Sequence, residues 1–253
     1  MSNSKASGAH AERTALITGS GRNIGRAIAI ELAAAGCNII LNGSSNRAAC
    51  ESVAREVESA GASVLIAMGD VGIREQALAI AEKGIKQYGR IDVLVNNAAI
   101  RPSFDLVNDD EADFQRIMNI NFHAAWRLSR ACLPGMIDNG YGRVINFTGM
   151  NAQQGYTGKS AVSITKHASW GLTKSIAKEY GRHGVTANII SPGTIVGDDE
   201  DSDTGSYKTL KPQNPAGRLG EPDDIAKMVA YLAGDDAGFV NGQLMQVNGG
   251  VVV

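Results

Sequence analysis

The chain has 253 residues, of which 43% are apolar and 20% charged, and a formal net charge of −2. That length and balance suit one large α/β domain with a substantial core. They exclude a basic nucleic-acid footprint and an attraction to anionic membranes; no apolar run reaches transmembrane length, and the three cysteines and four histidines show no metal-ligand spacing.

Residues 1–11 are small and polar, lack the apolar segment of a signal peptide, and read as a disordered tail before a single domain over 12–253. Cys37, Cys50 and Cys132 read as buried small hydrophobes in a reducing cytoplasm. The first structured stretch is the most informative. Ala15-Leu16-Ile17 is an apolar run of strand length. The chain then turns through Thr18-Gly19-Ser20-Gly21-Arg22, and from Ile24 to Ala35 apolar residues recur at helical spacing. Strand, glycine-rich turn and helix together make a phosphate cradle. Gly19 and Gly25 let the backbone approach a pyrophosphate, and the helix start offers unpaired N–H groups and a positive dipole end. Asn23 stands where a middle glycine is usual in such a turn, and asparagine tolerates left-handed backbone angles.

Strand-like runs then alternate with helical stretches, the pattern of a parallel sheet covered on both faces. Residues 38–41 read as a second strand, leaving through Asn42-Gly43-Ser44-Ser45-Asn46-Arg47 into a helix over 47–60 that ends at Gly61. A third strand over 63–68 leads to Gly69-Asp70-Val71 and a helix to residue 88. A fourth strand over 91–95 runs into Asn96-Asn97-Ala98-Ala99. Residues 109–133 read as one long helix closed by Pro134-Gly135. A fifth strand over 143–147 is followed by a loop over 148–158, a helix over 160–180 and a sixth strand over 186–190. An acidic segment over 198–203 continues irregularly to Gly217, within a substrate loop of about 194–217. Pro222 opens a helix whose buried face is Ile225, Met228, Val229 and Leu232 and which Gly234 ends; a last strand covers 244–247.

TGSGRNIG at 18–25, Asp70-Val71, NNAA at 96–99, Asn121, Lys166, Pro192-Gly193 and GRLGEPDDIA at 217–226 follow one another in order. With these motifs the chain resembles a short-chain dehydrogenase/reductase, similar to the 3-oxoacyl-carrier-protein reductases. The resemblance implies one doubly wound Rossmann-type domain of about seven parallel strands with a nicotinamide dinucleotide across the strand ends. It places Gly19, Arg22, Asn23, Ile24 and Gly25 at the cofactor phosphates, and Asp70 and Val71 at the adenine. Asn97, Ala98 and Ala99 fall at the adjoining ribose, Lys166 at the nicotinamide ribose, and Pro192, Gly193 and Ile195 at the nicotinamide. Relatives that use NAD place a carboxylate after the second strand; here Gly43, Ser44, Ser45 and Asn46 occupy that region. With Ser44 and the basic Arg22, and Arg47 as a second basic candidate, this favours NADP over NAD. The resemblance also implies a homotetramer or homodimer through helices 109–133 and 160–180 and the last strand, with apolar Val251-Val252-Val253 in the contact. It implies a small-molecule substrate, and neither nucleic acid nor membrane as partner.

The proton machinery departs from the family. Relatives carry a tyrosine four residues before the lysine, a serine about thirteen before that tyrosine, and an asparagine on the preceding helix. Asn121 and Lys166 are present, but Val162 and Gly149 stand at the other two positions. Three readings follow. In the first, a reductase uses a substitute acid, with Tyr156 the candidate beside Asn121 and Lys166. In the second, the substrate is an iminium or conjugated alkene that accepts hydride without a tyrosine, and the acidic 198–203 segment attracts a cation. In the third, the fold is a dinucleotide- or metabolite-binding pseudoenzyme or a non-redox enzyme.

Overall fold

Short apolar runs and helical stretches resolve into a βα repeat. The computed structural model describes residues 13–198 and 205–253. The strands are β1 (Thr14–Ile17), β2 (Asn38–Leu41), β3 (Val64–Ile66), β4 (Val93–Asn96), β5 (Gly142–Phe147), β6 (Val185–Pro192) and β7 (Leu244–Val247). They form one seven-stranded sheet in the order β3-β2-β1-β4-β5-β6-β7, every pair parallel. The order reverses between β1 and β4, so the crevice at their carboxyl ends is the place where such sheets bind ligands.

Alternating side chains divide the core into two layers. Ala15 and Ile17 of β1 face α1 (Asn23–Ala34), α2 (Arg47–Ser59) and α9 (Pro222–Ala233), through Ile28, Leu32, Val53, Val57, Ile225 and Val229. Leu16 faces the opposite layer, where Ile80 of α3 (Arg74–Tyr88), Leu128 and Met136 of α5 (Ala124–Asp138) and Ile176 of α7 (Ser160–Tyr180) pack against the sheet. Each of Leu16, Ile17, Ile28 and Leu128 is sealed from solvent, a burial worth about 1.5–3 kcal/mol per side chain. Among the described residues no helix is long and apolar enough to cross a membrane, and no cluster could hold a metal ion.

The long helix differs from the expectation for 109–133. It starts at α4 (Glu111–Met118), where the Asp110 carboxylate accepts the N–H of Ala112 at 2.9 Å. It then widens into a π-helical turn over Asn119–His123 and continues as α5 through Pro134 to Asp138. Pro134 removes one backbone donor but does not end the helix, because Leu133 and Met136 on either side are buried under the sheet. The chain turns instead at Gly140, whose φ of +67° suits only glycine well. The loop expected over 148–158 contains a short helix, α6 (Met150–Gln154), and the irregular stretch before Gly217 contains α8 (Gly205–Leu210). The tail expected over 1–11, and the acidic residues 199–203, lie outside the described residues.

Candidate active site

The turn after β1 is built as a cradle. Gly19 has φ +63°, and a Cβ on Gly25 would lie 2.2 Å from the Gly19 carbonyl oxygen, so glycine is required where α1 starts. Thr18 clips this turn to the end of β4: its Oγ accepts the N–H groups of Asn97 and Ala98, both at 3.0 Å. The Asn97 amide donates to the carbonyls of Thr18 and Gly19 at 2.9 and 3.1 Å. The glycines thus leave the backbone of the cradle open to a pyrophosphate, while the Asp198 carboxylate holds the Asn23 N–H at 2.6 Å. Asn23, at φ +48°, takes the left-handed conformation expected of the glycine it replaces.

Asn42, which the sequence reading passed over, completes the frame. Its buried amide donates to the carbonyls of Ala67 and Gly69 at 3.0 Å each and turns inward at the end of β2. Its only sequence signal was a polar residue at a strand exit. Ser44 and Arg22 stand exposed at the ends of β2 and of the β1 turn; Arg47 is also exposed, but lies 3.8 Å from Glu51. Asp70 closes its own turn by accepting the N–H of Gly72 at 2.8 Å, and Val71 beside it is buried. Gly193 follows Pro192 so closely against Asn248 that a Cβ there would meet its Cα at 2.7 Å.

A cavity of about 350 Å³ opens next to this frame, lined by Asn23, Ile24, Gly149, Val162, Lys166 and the segment from Pro192 to Gly197. Gly149 and Val162 therefore do stand in the cavity wall. A Cβ on Gly149 would meet nothing within 4 Å. Val162 packs on Phe104, Ile117 and Ala161 in a small apolar cluster. Lys166, one turn along α7, is 4% exposed and donates from Nζ to the Phe147 carbonyl at 3.0 Å. Burial, and then the nearby Arg101 guanidinium, push its ammonium down from the usual lysine range to about 7.

The three catalytic candidates separate. Lys166 is in the cavity wall. Tyr156 also lines it, but from the rim, 36% exposed, and among the described residues its hydroxyl has no hydrogen bond. Asn121 sits behind the wall in the π turn. Its amide grips both backbone groups of Ile100, each at 2.9 Å, and reaches the Thr165 hydroxyl at 3.3 Å, so it positions the loop after β4. Ser160 and Ser163 lie outside the cavity lining, whereas Thr148 is part of it. Asp198, the one described residue of the acidic stretch expected to attract a cation, accepts the N–H of Asn23 at 2.6 Å and lies 3.9 Å from Arg26. The cavity lining also includes Arg101, Asn151 and Tyr207, none of which the sequence singled out.

A family model described as Enoyl-(Acyl carrier protein) reductase matches residues 19–252. The chain is 37% identical over 240 residues to the 3-oxoacyl-[acyl-carrier-protein] reductase FabG of Haemophilus influenzae, covering 94% of this chain and 98% of that one. A blue fluorescent protein from a metagenomic library, solved in complex with NADPH, superposes with a TM-score of 0.89 at 34% identity over 96% of this chain and 99% of that one. A mutant short-chain dehydrogenase/reductase of Serratia marcescens gives a TM-score of 0.90 at 28% identity, over 96% and 99% of the two chains. A fold, a glycine cradle and a lysine-lined cavity at the switch point agree with these likenesses, and the chain belongs to the short-chain dehydrogenase/reductase family of oxidoreductases.

Proposed function

We propose that the protein is an NADP(H)-dependent oxidoreductase in which Lys166 carries the proton that a tyrosine handles in ordinary relatives. One observation carries this reading: Lys166 is the only buried ionisable residue among the described residues lining the cavity, whose wall also holds Gly149 and Val162. Gly19, Ile24, Gly25, Asn97, Ala98, Ala99, Pro192, Gly193 and Ile195 would hold the dinucleotide; Arg22 and Ser44 favour the extra phosphate of NADP, and Asp70 and Val71 would border the adenine. The NADPH complex of a relative supports the same choice. When bound, a nicotinamide cofactor supplies or accepts hydride.

The chain's own part is proton handling and exclusion of water. An ammonium with an affinity near neutrality is suited to general acid–base work. Protonated Nζ passes its proton to the substrate atom that gains negative charge, and neutral Nζ takes one back in the reverse direction. The Phe147 carbonyl keeps Nζ oriented in both states. The substrate is a small molecule with a carbonyl, imine or conjugated alkene; the last two demand less of a proton donor. Assembly as a homodimer or homotetramer through α5 and α7 belongs to the same proposal, supported by exposed Trp126 and Ile164 on those helices.

A pH profile of NADPH oxidation tests the reading. The wild type should lose rate above about pH 7. Lys166→Met should be slow and flat with pH, while Tyr156→Phe should retain the wild-type profile. A profile unchanged by Lys166→Met would overturn the role of Nζ. A second reading, dinucleotide binding without turnover, is favoured by the Asp198 carboxylate at the Asn23 N–H; NADPH binding with no hydride transfer to any of the three substrate types would select it.

A further inference from the structure

We propose that the cavity is specific for an anionic substrate, and that Arg101 at its mouth binds the substrate's carboxylate. This rests on the reductase reading and names its substrate class. The lining contains Lys166 and Arg101 but, among the described residues, no aspartate or glutamate. The Asp198 carboxylate is not part of the lining, but it borders it, accepting the N–H of the lining residue Asn23 at 2.6 Å. Among the described residues, the charged side chains in the lining are thus of one sign, the arrangement that concentrates ligands of the opposite charge.

Arg101 is also held in place. The carbonyl of Ile100 before it accepts from Asn121, and the Ile100 N–H donates to the same side chain, at 2.9 Å each. The Arg101 carbonyl accepts from Lys159 Nζ at 2.8 Å. Two residues beyond Pro102, the Phe104 N–H donates to the Gly158 carbonyl at 2.8 Å. The backbone of this loop is thus fastened on both sides of the guanidinium. The guanidinium itself has no hydrogen-bond or ion-pair partner among the described residues. A fork of five donors on a fastened stretch of backbone, lining a cavity and left without an acceptor among the described residues, suits recognition of a carboxylate.

The charge balance points the same way. Arg101 and Lys166 repel within one cavity, and that repulsion is part of what holds the Lys166 ammonium down. A carboxylate at Arg101 would offset the repulsion and favour protonated Nζ at the moment a proton is needed. Tyr156 supplies a hydroxyl, and Asn151 an amide, for the rest of the ligand.

The test uses 2-oxobutanoate, 4-oxopentanoate and 5-oxohexanoate, each beside its uncharged methyl ester, in calorimetric titrations of the intact protein with and without NADP. With the oxidised cofactor these oxo compounds cannot be reduced, so binding is read apart from turnover. At least one acid should bind on the order of tenfold more tightly than its ester. Arg101→Gln should reduce that acid to the affinity of the ester, and Arg101→Lys should restore part of the difference. Equal binding of acid and ester, no binding of any acid, or an acid preference that survives Arg101→Gln would each overturn the proposal. An Arg101-dependent acid preference would support it whether or not NADPH is oxidised, and the reductase reading would fall separately if no carbonyl, imine or conjugated alkene oxidised NADPH.

Discussion

Asn23 and Asp198 exchange hydrogen bonds across the cofactor crevice. The Asn23 N–H donates to the Asp198 carboxylate at 2.6 Å, and the Asp198 N–H donates to the Asn23 side-chain oxygen at 2.9 Å. The pair joins the start of α1 to the segment that leads into α8. It puts a negative charge at a helix N-terminus, where the cofactor pyrophosphate would also sit.

Asp198→Ala should therefore tighten NADPH binding by about two- to fivefold, the size of one charge at a helix end. Nicotinamide fluorescence titration measures it. Unchanged or weaker binding would show that the carboxylate does not compete with the cofactor.

Gly25→Ala should lower stability by about 1–3 kcal/mol, because the new methyl must push the Gly19 carbonyl aside. NADPH binding should fall with it. Gly149→Ser is the contrast: a Cβ at 149 meets nothing, so urea unfolding should shift by less than about 0.5 kcal/mol.

Asn121→Ala should cost about 1–3 kcal/mol in denaturant unfolding, since it leaves the backbone groups of Ile100 without partners in a half-buried place. The same change should loosen the loop that carries Arg101, read as faster amide exchange at Ile100.

Lys166 gives a stability effect with a definite sign. In the folded chain its ammonium titrates at about 7, against 10.5 ordinarily. Between these values the unfolded chain binds the extra proton, so this residue makes stability rise with pH, by up to about 1.4 kcal/mol per unit. Lys166→Met should be more stable than wild type at pH 6, and the advantage should shrink toward pH 10. Parallel urea curves across that range would contradict a buried, weakly basic Nζ.

Much of this was legible in the chain. Ala15, Leu16 and Ile17, then the helical spacing from Ile24, mark β1 and α1 because strand and helix periods differ sharply there. Gly19 and Gly25 belong to the same motif, and Asn97 to the separate run at 96–99. The partner of Asn121 in the π turn was not legible: Ile100, whose backbone it grips, lies 21 residues away. Pro134 misled because a local helix breaker was overruled by the burial of Leu133 and Met136. The Asn23–Asp198 exchange spans 175 residues, and the fastening of Arg101 by Lys159 spans 58; neither leaves a trace in any local pattern. Tertiary contacts of this kind decide which charges face the cavity, so the glycine turn was readable while the lining opposite it was not.

The most direct measurement is a nicotinamide fluorescence titration of the purified protein with NADPH and with NADH. Tight NADPH binding, with NADH at least about tenfold weaker, is the predicted result, since Arg22 and Ser44 gain a charge-assisted contact only with the extra phosphate. Failure of both dinucleotides to bind would contradict the assignment of the cradle, and with it any redox role for Lys166.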